Sequence, residues 1–322
     1  MRYIAIASSV LSLVTLVLGV GPASAVGIRY VAGNGIDTAT CGPVSRPCRS
    51  IGQAVGNASA GDRIVVGPGV YAGFGLAKAV TLESTHGAGA TIIQGGNPVI
   101  RVTAADVVIG RPSRGFTIRR GDVGLDVSAA DVRIEDNIVT NVRIGVRADA
   151  ASMRAAIVGN VINLNESTIF NMAFGIVAVA DGMSIVQNVI QADGEGPGIM
   201  LSGAQSVVTD NVIAGAFEGV FVRTSSATIR RNTLVGNAAG LYFVTRAGGP
   251  GLVATSNNLL GNDAGGGNCG VVNGETTTLV QGNYWGSATG PGDDPADDVC
   301  GRPVVTSPFL RTPVAVGAPA GR

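Results

Sequence analysis

Few residues in this chain of 322 can do acid–base or metal chemistry. His86 is the only histidine, which excludes a multi-histidine metal site and argues against a His-based triad. The carboxylates Glu166, Asp193, Glu195 and Glu218 fall in one stretch of chain together with Arg223. Two carboxylates at a defined separation would serve a glycosidase, and a base beside an arginine would serve a lyase. These five are the catalytic candidates. A second acidic group, Asp293, Asp294, Asp297 and Asp298, precedes Cys300. Its spacing permits an ion site for calcium, which takes six to eight oxygen ligands, while its plain reading is a solvated loop. No other cofactor is implied.

The elements that must position these residues follow from composition. Glycine supplies 49 residues, aromatics are 4%, charged residues 14% and hydrophobic residues 46%. Disorder is excluded by the apolar content, collagen by the lack of a glycine period, and a coiled coil by the lack of heptads. A chain rich in Val, Ile and Ala with many tight turns is β-rich. Lys+Arg and Asp+Glu are both 22, so no basic excess favours nucleic acid.

Residues 1–25 read as an export signal: Arg2, an apolar run from about Ile4 to Val20, and Ala23-Ser24-Ala25 as the cleavage pattern. No later run is long enough to span a membrane, so the expected location is secreted, periplasmic or extracellular. An even number of cysteines in an exported chain points to disulfides. Cys41 is paired with Cys48, and Cys269 with Cys300, because each pair is local to one end of the chain; the spacings are not those of zinc sites.

The chain repeats itself. Asn137, Asn160, Asn188, Asn211, Asn232, Asn257 and Asn283 each sit between short apolar runs, spaced by 23, 28, 23, 21, 25 and 26 residues. A Gly-apolar pair follows most of them, at Gly145, Gly175, Gly198, Gly219 and Gly240. This period with short alternating strands predicts an all-β solenoid, a parallel β-helix. Asparagine suits the turn because it tolerates the left-handed conformation, and stacked asparagines can form an amide ladder. Eight coils would make a rod about 40 Å long. Alternation after each repeat glycine predicts an outward ladder of Arg147, Val177, Met200, Phe221 and Tyr242. Insertions at Asn163 to Met172 and Gln191 to Pro197 would wall a groove beside it. Ser50 to Ala58 has the spacing of a short capping helix, followed by a strand through Val66 that Pro68-Gly-Val-Tyr71 closes. The expected organisation is signal 1–25, cap and first coil 26–78, repeats with a C-terminal cap 79–312, and a flexible tail 313–322.

Two further segments carry a family likeness. One runs from Tyr30-Val-Ala-Gly-Asn-Gly-Ile-Asp37 through Pro47-Cys-Arg-Ser-Ile51 to Pro68-Gly-Val-Tyr71. The other is Gly282-Asn-Tyr-Trp-Gly286 with Gly290-Pro291. With the repeat, they make the chain resemble the secreted right-handed, single-stranded parallel β-helix proteins of the pectate-lyase-like superfamily. The second segment is similar to periplasmic carbohydrate-binding and sugar-hydrolase repeat domains. The likeness covers about residues 28–312. It implies the pectin-lyase-like fold and a history of polysaccharide chemistry. The clustered aspartates with histidine of polygalacturonase-like members and the Tyr-Gly-x-Asp-Pro-His-Asp stretch of epimerase-like members are absent.

The expected function is therefore an exported β-helix that binds polysaccharide or another surface polymer, such as a cell-surface glycan, along its flank. Met200, Phe221 and Tyr242 are the ligand-binding candidates. The alternatives are a polysaccharide lyase or hydrolase using the acidic residues and Arg223, and a structural or adhesin-like rod. Tyr284-Trp285 reads as packing at the C-terminal cap, with a sugar platform as its other reading.

Overall fold

The computed structural model describes residues 26–164, 172–192, 194–244, 251–263, 266–274 and 279–317. The signal-like residues 1–25, together with Glu166 and Asp193, lie outside them. Short strands pair in parallel, coil upon coil, into a solenoid with three sheets. The first sheet has ten strands, from Ile28–Val31 to Gly251–Thr255. The second runs from Gly69–Ala72 to Asn258–Leu260. The third runs from Phe74–Leu76 to Asp298–Gly301. Strands Thr117–Val127 and Ile138–Ala148 pass from the second sheet into the third without a break. The strand expected through Val66 ends there, and the stretch 68–71 that follows it enters strand Gly69–Ala72 and opens the second sheet, with Tyr71 in the inward position paired with Ile93.

Each coil places the same kind of residue at the same inward site. Ile162, Ile190, Ile213, Leu234 and Leu259 stack beneath the second sheet. Ile134, Ile157, Ile185, Val208 and Ile229 do so beneath the first. Burial of each such side chain stabilises by about 1.5–3 kcal/mol. The narrow interior is filled by branched aliphatics, which explains the scarcity of rings.

The corner between the first and second sheets holds the seven predicted asparagines, all fully buried. Each amide nitrogen but that of the last, Asn283, donates to the next asparagine's Oδ1, at 3.2 Å for Asn137–Asn160 and 3.0 Å for Asn188–Asn211. It also donates to a carbonyl of the preceding coil, as Asn188 does to Ile157 at 2.8 Å. The backbone N–H of each of the first six asparagines donates to the next Oδ1 as well, at 2.9 Å for Asn188 onto Asn211. The left-handed residue is not the asparagine, however. It is the residue before it: Asp136, Gly159, Gln187, Asp210, Arg231, Ser256 and Gly282 all have positive φ. The asparagine keeps an ordinary conformation so that its amide points into the ladder.

A second, shorter ladder lies at the next corner. Asn237 donates to Asn262 at 2.8 Å, and Asn262 donates to Asp297 at 2.5 Å. Asp297 ends this ladder, because a terminal member must accept from both the N–H and the amide of Asn262 and has nothing further to donate to.

The repeat glycines at that same corner are required sterically. A Cβ on Gly145 would stand 2.5 Å from the Gly175 carbonyl oxygen, and one on Gly175 would stand 2.3 Å from that of Gly198. None of these glycines has a positive φ, so close approach between coils sets the choice rather than backbone freedom.

The ends are closed differently. Helix Ile51–Asn57 covers the first coil, with the Ser50 hydroxyl accepting from the Gln53 N–H at 3.2 Å as its N-cap. The single lysine, Lys78, donates to the Gly56 and Ala58 carbonyls at the helix's other end, both at 2.7 Å. Disulfides Cys41–Cys48 and Cys269–Cys300 are both formed, one at each end. Trp285 is fully buried in the C-terminal coils, so its packing role holds and it offers no sugar platform. The start of the expected tail is not free. The Val314 N–H donates to Asn258 Oδ1 at 2.8 Å, and Asn258 Nδ2 donates to the Val314 carbonyl at 2.9 Å. Residues 313–317 thus turn back along the rod, held by the outward second asparagine of the Asn257-Asn258 doublet.

Truncating the ladder at its middle should be severe. Asn211→Ala removes three donated and two accepted bonds and strands buried groups on both neighbours. The expected loss is roughly 3–5 kcal/mol, measured by urea unfolding with buried Trp285 as reporter. A loss below about 1 kcal/mol would show that the amides are not coupled.

Candidate functional site

The third sheet presents the ladder expected from alternation. Arg147, Val177, Met200, Phe221 and Tyr242 are paired in register on successive coils. The ladder extends further than the repeat reveals, with Arg101 and Asp126 preceding Arg147. Its character changes along the rod. Asp126 is buried between Arg147 at 2.8 Å and Arg101 at 3.5 Å, so this end is an ion-paired stack. Beside it, Arg143 makes a bidentate pair with Asp122 at 2.6 and 2.9 Å. The Arg143 guanidinium holds the Asp122 carboxyl below its ordinary range. The other end is apolar, with the Phe221 and Tyr242 rings 5.4 Å apart and tilted by 39°.

Val177 departs from expectation. It is covered, in a cluster with Val123 and Ile144 against which Phe174 and Met200 pack. The outward position is buried there because Phe174 lies over it. Met200, Phe221 and Tyr242 are half-buried.

Beside the ladder lies an apolar cavity of about 250 Å³. Met172, Phe174, Met200, Phe217 and Phe221 line it, with Gly196 and Pro197 from one of the predicted insertions. Two of the candidate carboxylates reach it, Glu195 from that insertion and Glu218 from the start of strand Glu218–Val222. Glu218 is buried, and that burial raises its pKa above the ordinary glutamate value, against a smaller lowering by its own backbone N–H. Glu195 is exposed at the rim. Arg223 is exposed two residues beyond Phe221 and does not line the cavity. Tyr242 stacks on Phe221 outside it. Phe217 was not singled out by the repeat. It precedes Glu218 in the corner turn and is 53% exposed, making it the most exposed ring of the cavity.

The four C-terminal aspartates do not form one ligand set. Asp297 is fully buried and turned onto Asn262, whereas Asp293, Asp294 and Asp298 are exposed. Among the described residues no three of these carboxylates come within reach of one ion. The cause is the second asparagine ladder, which claims Asp297 as its end. Burial raises the Asp297 pKa, partly offset by the hydrogen bonds from Asn262.

No helix among the described residues is long and apolar enough to cross a membrane. The fold is shared with pectate lyase Pel9A, at TM-score 0.58 and 13% identity over 88% of this chain and 79% of that one. It is shared also with an alginate lyase from Paenibacillus sp. str. FPU-7, at TM-score 0.59 and 18% identity over 85% of this chain and 99% of that one. No curated protein matches the sequence. The family model "right handed beta helix region" matches residues 73–284. The stacked coils, the asparagine corner and that match together make this chain a member of the right-handed β-helix family, with the pectate-lyase-like fold.

Proposed function

We propose that the chain is an exported polysaccharide-binding protein and that the outer face of the third sheet is its binding surface. The observation that carries this reading is the 250 Å³ apolar cavity, set on an outward ladder and lined by rings and methionines, with Glu218 buried in its wall and Glu195 at its rim. Rings and thioethers suit the apolar faces of sugar rings, and the polar groups at the margin suit their hydroxyls. The ladder continues past the cavity in both directions, as a site for a polymer rather than a single sugar requires. The two fold-sharing lyases are named for polysaccharides, which supports the class of ligand. The two disulfides and the signal-like first 25 residues support export.

A second reading has one observation in its favour. Glu218 is a buried carboxyl in a cavity that also holds Glu195, and a carboxyl with a raised pKa is suited to act as a general acid. Arg223 stands on the same face and would contact a bound polymer beyond the cavity. In this reading the protein is a hydrolase or lyase.

A panel of soluble neutral and uronic-acid polysaccharides, titrated by calorimetry with and without calcium, tests the binding reading. At least one should bind, and Phe221→Ala should weaken it by about tenfold or more. Absence of binding across the panel, or unchanged binding in a Phe217→Ala/Phe221→Ala double variant, would sink the proposal. New reducing ends or unsaturated-sugar absorbance, lost in Glu218→Gln, would move the assignment to the enzymatic reading.

Glu218 also predicts a pH dependence. Its folded pKa is raised, so the folded state holds the proton more tightly than the unfolded chain does. The stabilising contribution is complete below the unfolded value and is lost as pH rises through the folded one. Glu218→Gln should therefore flatten the fall of melting temperature between weakly acidic and neutral pH. Parallel wild-type and variant profiles would contradict this assignment.

A further inference from the structure

Away from the third sheet, the outer face of the first sheet carries a cluster that the saccharide reading does not use. Glu83, on strand Thr81–Ser84, is almost fully buried. Three arginines converge on its carboxylate. Arg114 Nη1 lies 2.8 Å from Oε1, Arg63 Nε lies 3.4 Å from Oε1, and Arg111 Nε lies 3.6 Å from Oε2. Only the first is a hydrogen bond; Arg63 Nε is buried without a hydrogen-bond partner. Against Glu83 alone the three positive charges leave an excess of two, which the nearby Asp136 carboxylate reduces to one. The three side chains remain 40–52% exposed. Each guanidinium has five N–H donors, so most of their hydrogen-bonding capacity faces outward.

The cluster is held rigidly. Later coils turn this corner in two residues, such as Gly159-Asn160, but here an insertion runs from Gly110 to Phe116. It carries Arg111 and Arg114, and it is pinned to the coils on both sides. The Ser84 N–H and hydroxyl donate to the Arg114 and Gly115 carbonyls at 3.0 and 2.8 Å. The Ser113 N–H donates to Asp136 at 2.5 Å, and the Phe116 N–H donates to Asn137 at 3.0 Å. A Cβ on Gly115 would stand 1.7 Å from the Asp136 carbonyl oxygen, so the loop sits directly on the next coil. Of the other charges nearby, Arg133 is bidentate to Glu135 and Arg29 pairs with Asp62, while the Asp136 carboxylate accepts from the Ser113 N–H and brings one further negative charge to the loop.

We infer that Arg63, Arg111 and Arg114 form a binding site for a tetrahedral oxyanion, a sulfate or phosphate group, with Glu83 serving as the internal anion that holds the guanidinia together. Forked donors on three sides match such a group better than they match a single carboxylate. The pinned loop means that little ordering cost is left to binding. The site lies on a different sheet from the proposed saccharide face, so either assignment can fail without the other.

Titration with sodium phosphate and sodium sulfate at constant ionic strength, against chloride, tests it by melting temperature and calorimetry. Dextran sulfate compared with dextran separates a polymer-borne sulfate from a free ion. Phosphate or sulfate should raise the melting temperature of the intact protein above the chloride control. Arg111→Gln/Arg114→Gln should weaken that binding by about tenfold or more, while Arg120→Gln, an exposed arginine elsewhere, should leave it unchanged. A purely structural ion-pair network would instead show no anion-specific shift. That result, or equal binding by the wild type and the double arginine variant, would overturn the site.

Discussion

The interaction on which the rest depends is the buried asparagine amide at the first corner. It has two donors and an acceptor oxygen, and no water reaches it. Every one of those needs is met by the coil before or the coil after, as for Asn211 between Asn188 and Asn232. An unmet buried amide is costly, so neighbouring coils must keep the same corner geometry and the same offset. That demand aligns the strands of the first and second sheets coil by coil. Once two sheets are aligned, the third is aligned as well, and outward residues separated by more than twenty positions in sequence become neighbours.

The surface follows from this alignment through a second constraint. The glycine corner leaves no room for side chains between coils, so anything that varies must leave the rod as an insertion just before it. The segment carrying Glu195 and Pro197 is such an insertion, and it lies against Met200 and Phe221 because the corner beneath it cannot shift. The cavity is thus built by a rigid ladder on one side and a variable loop on the other. The Gly110–Phe116 insertion obeys the same rule at the asparagine corner, where Asn137 receives the Phe116 N–H in place of a preceding ladder member.

What could be read from the sequence was whatever each coil repeats. The seven asparagines, the glycine–apolar pairs and the outward Met200, Phe221 and Tyr242 recur at one place per coil, and periodicity exposes them. The position of positive φ was not legible, because Asp, Gly, Gln, Arg and Ser all occupy it and only the backbone is repeated there. The second ladder escaped because it has just three members and ends in an aspartate. Asp297 therefore looked like one of four acidic loop residues, although it is the buried one. Phe217 and the Glu83 cluster were invisible for a different reason: they depend on contacts of single residues that no other coil copies.

Charge pairing separates ordinary surface from unusual surface. Several carboxylates here are matched by an arginine one coil away, as in Arg154–Asp131 at 2.6 Å and Arg231–Asp210 at 2.8 Å. The planar fork spans the distance between coils. Three buried carboxylates break this pattern, each in its own way. Asp297 is answered by neutral amides and ends a ladder. Glu83 is answered by three cations, more than its charge requires. Glu218 has no cation beside it among the described residues, and it faces a cavity. Stability alone accounts for the first. It does not account for surplus positive charge around Glu83, nor for an uncompensated carboxyl at Glu218. Both are buried but border accessible surface, Glu218 at the cavity and Glu83 beneath three part-exposed arginines, where a ligand can supply the counterpart that the fold leaves out.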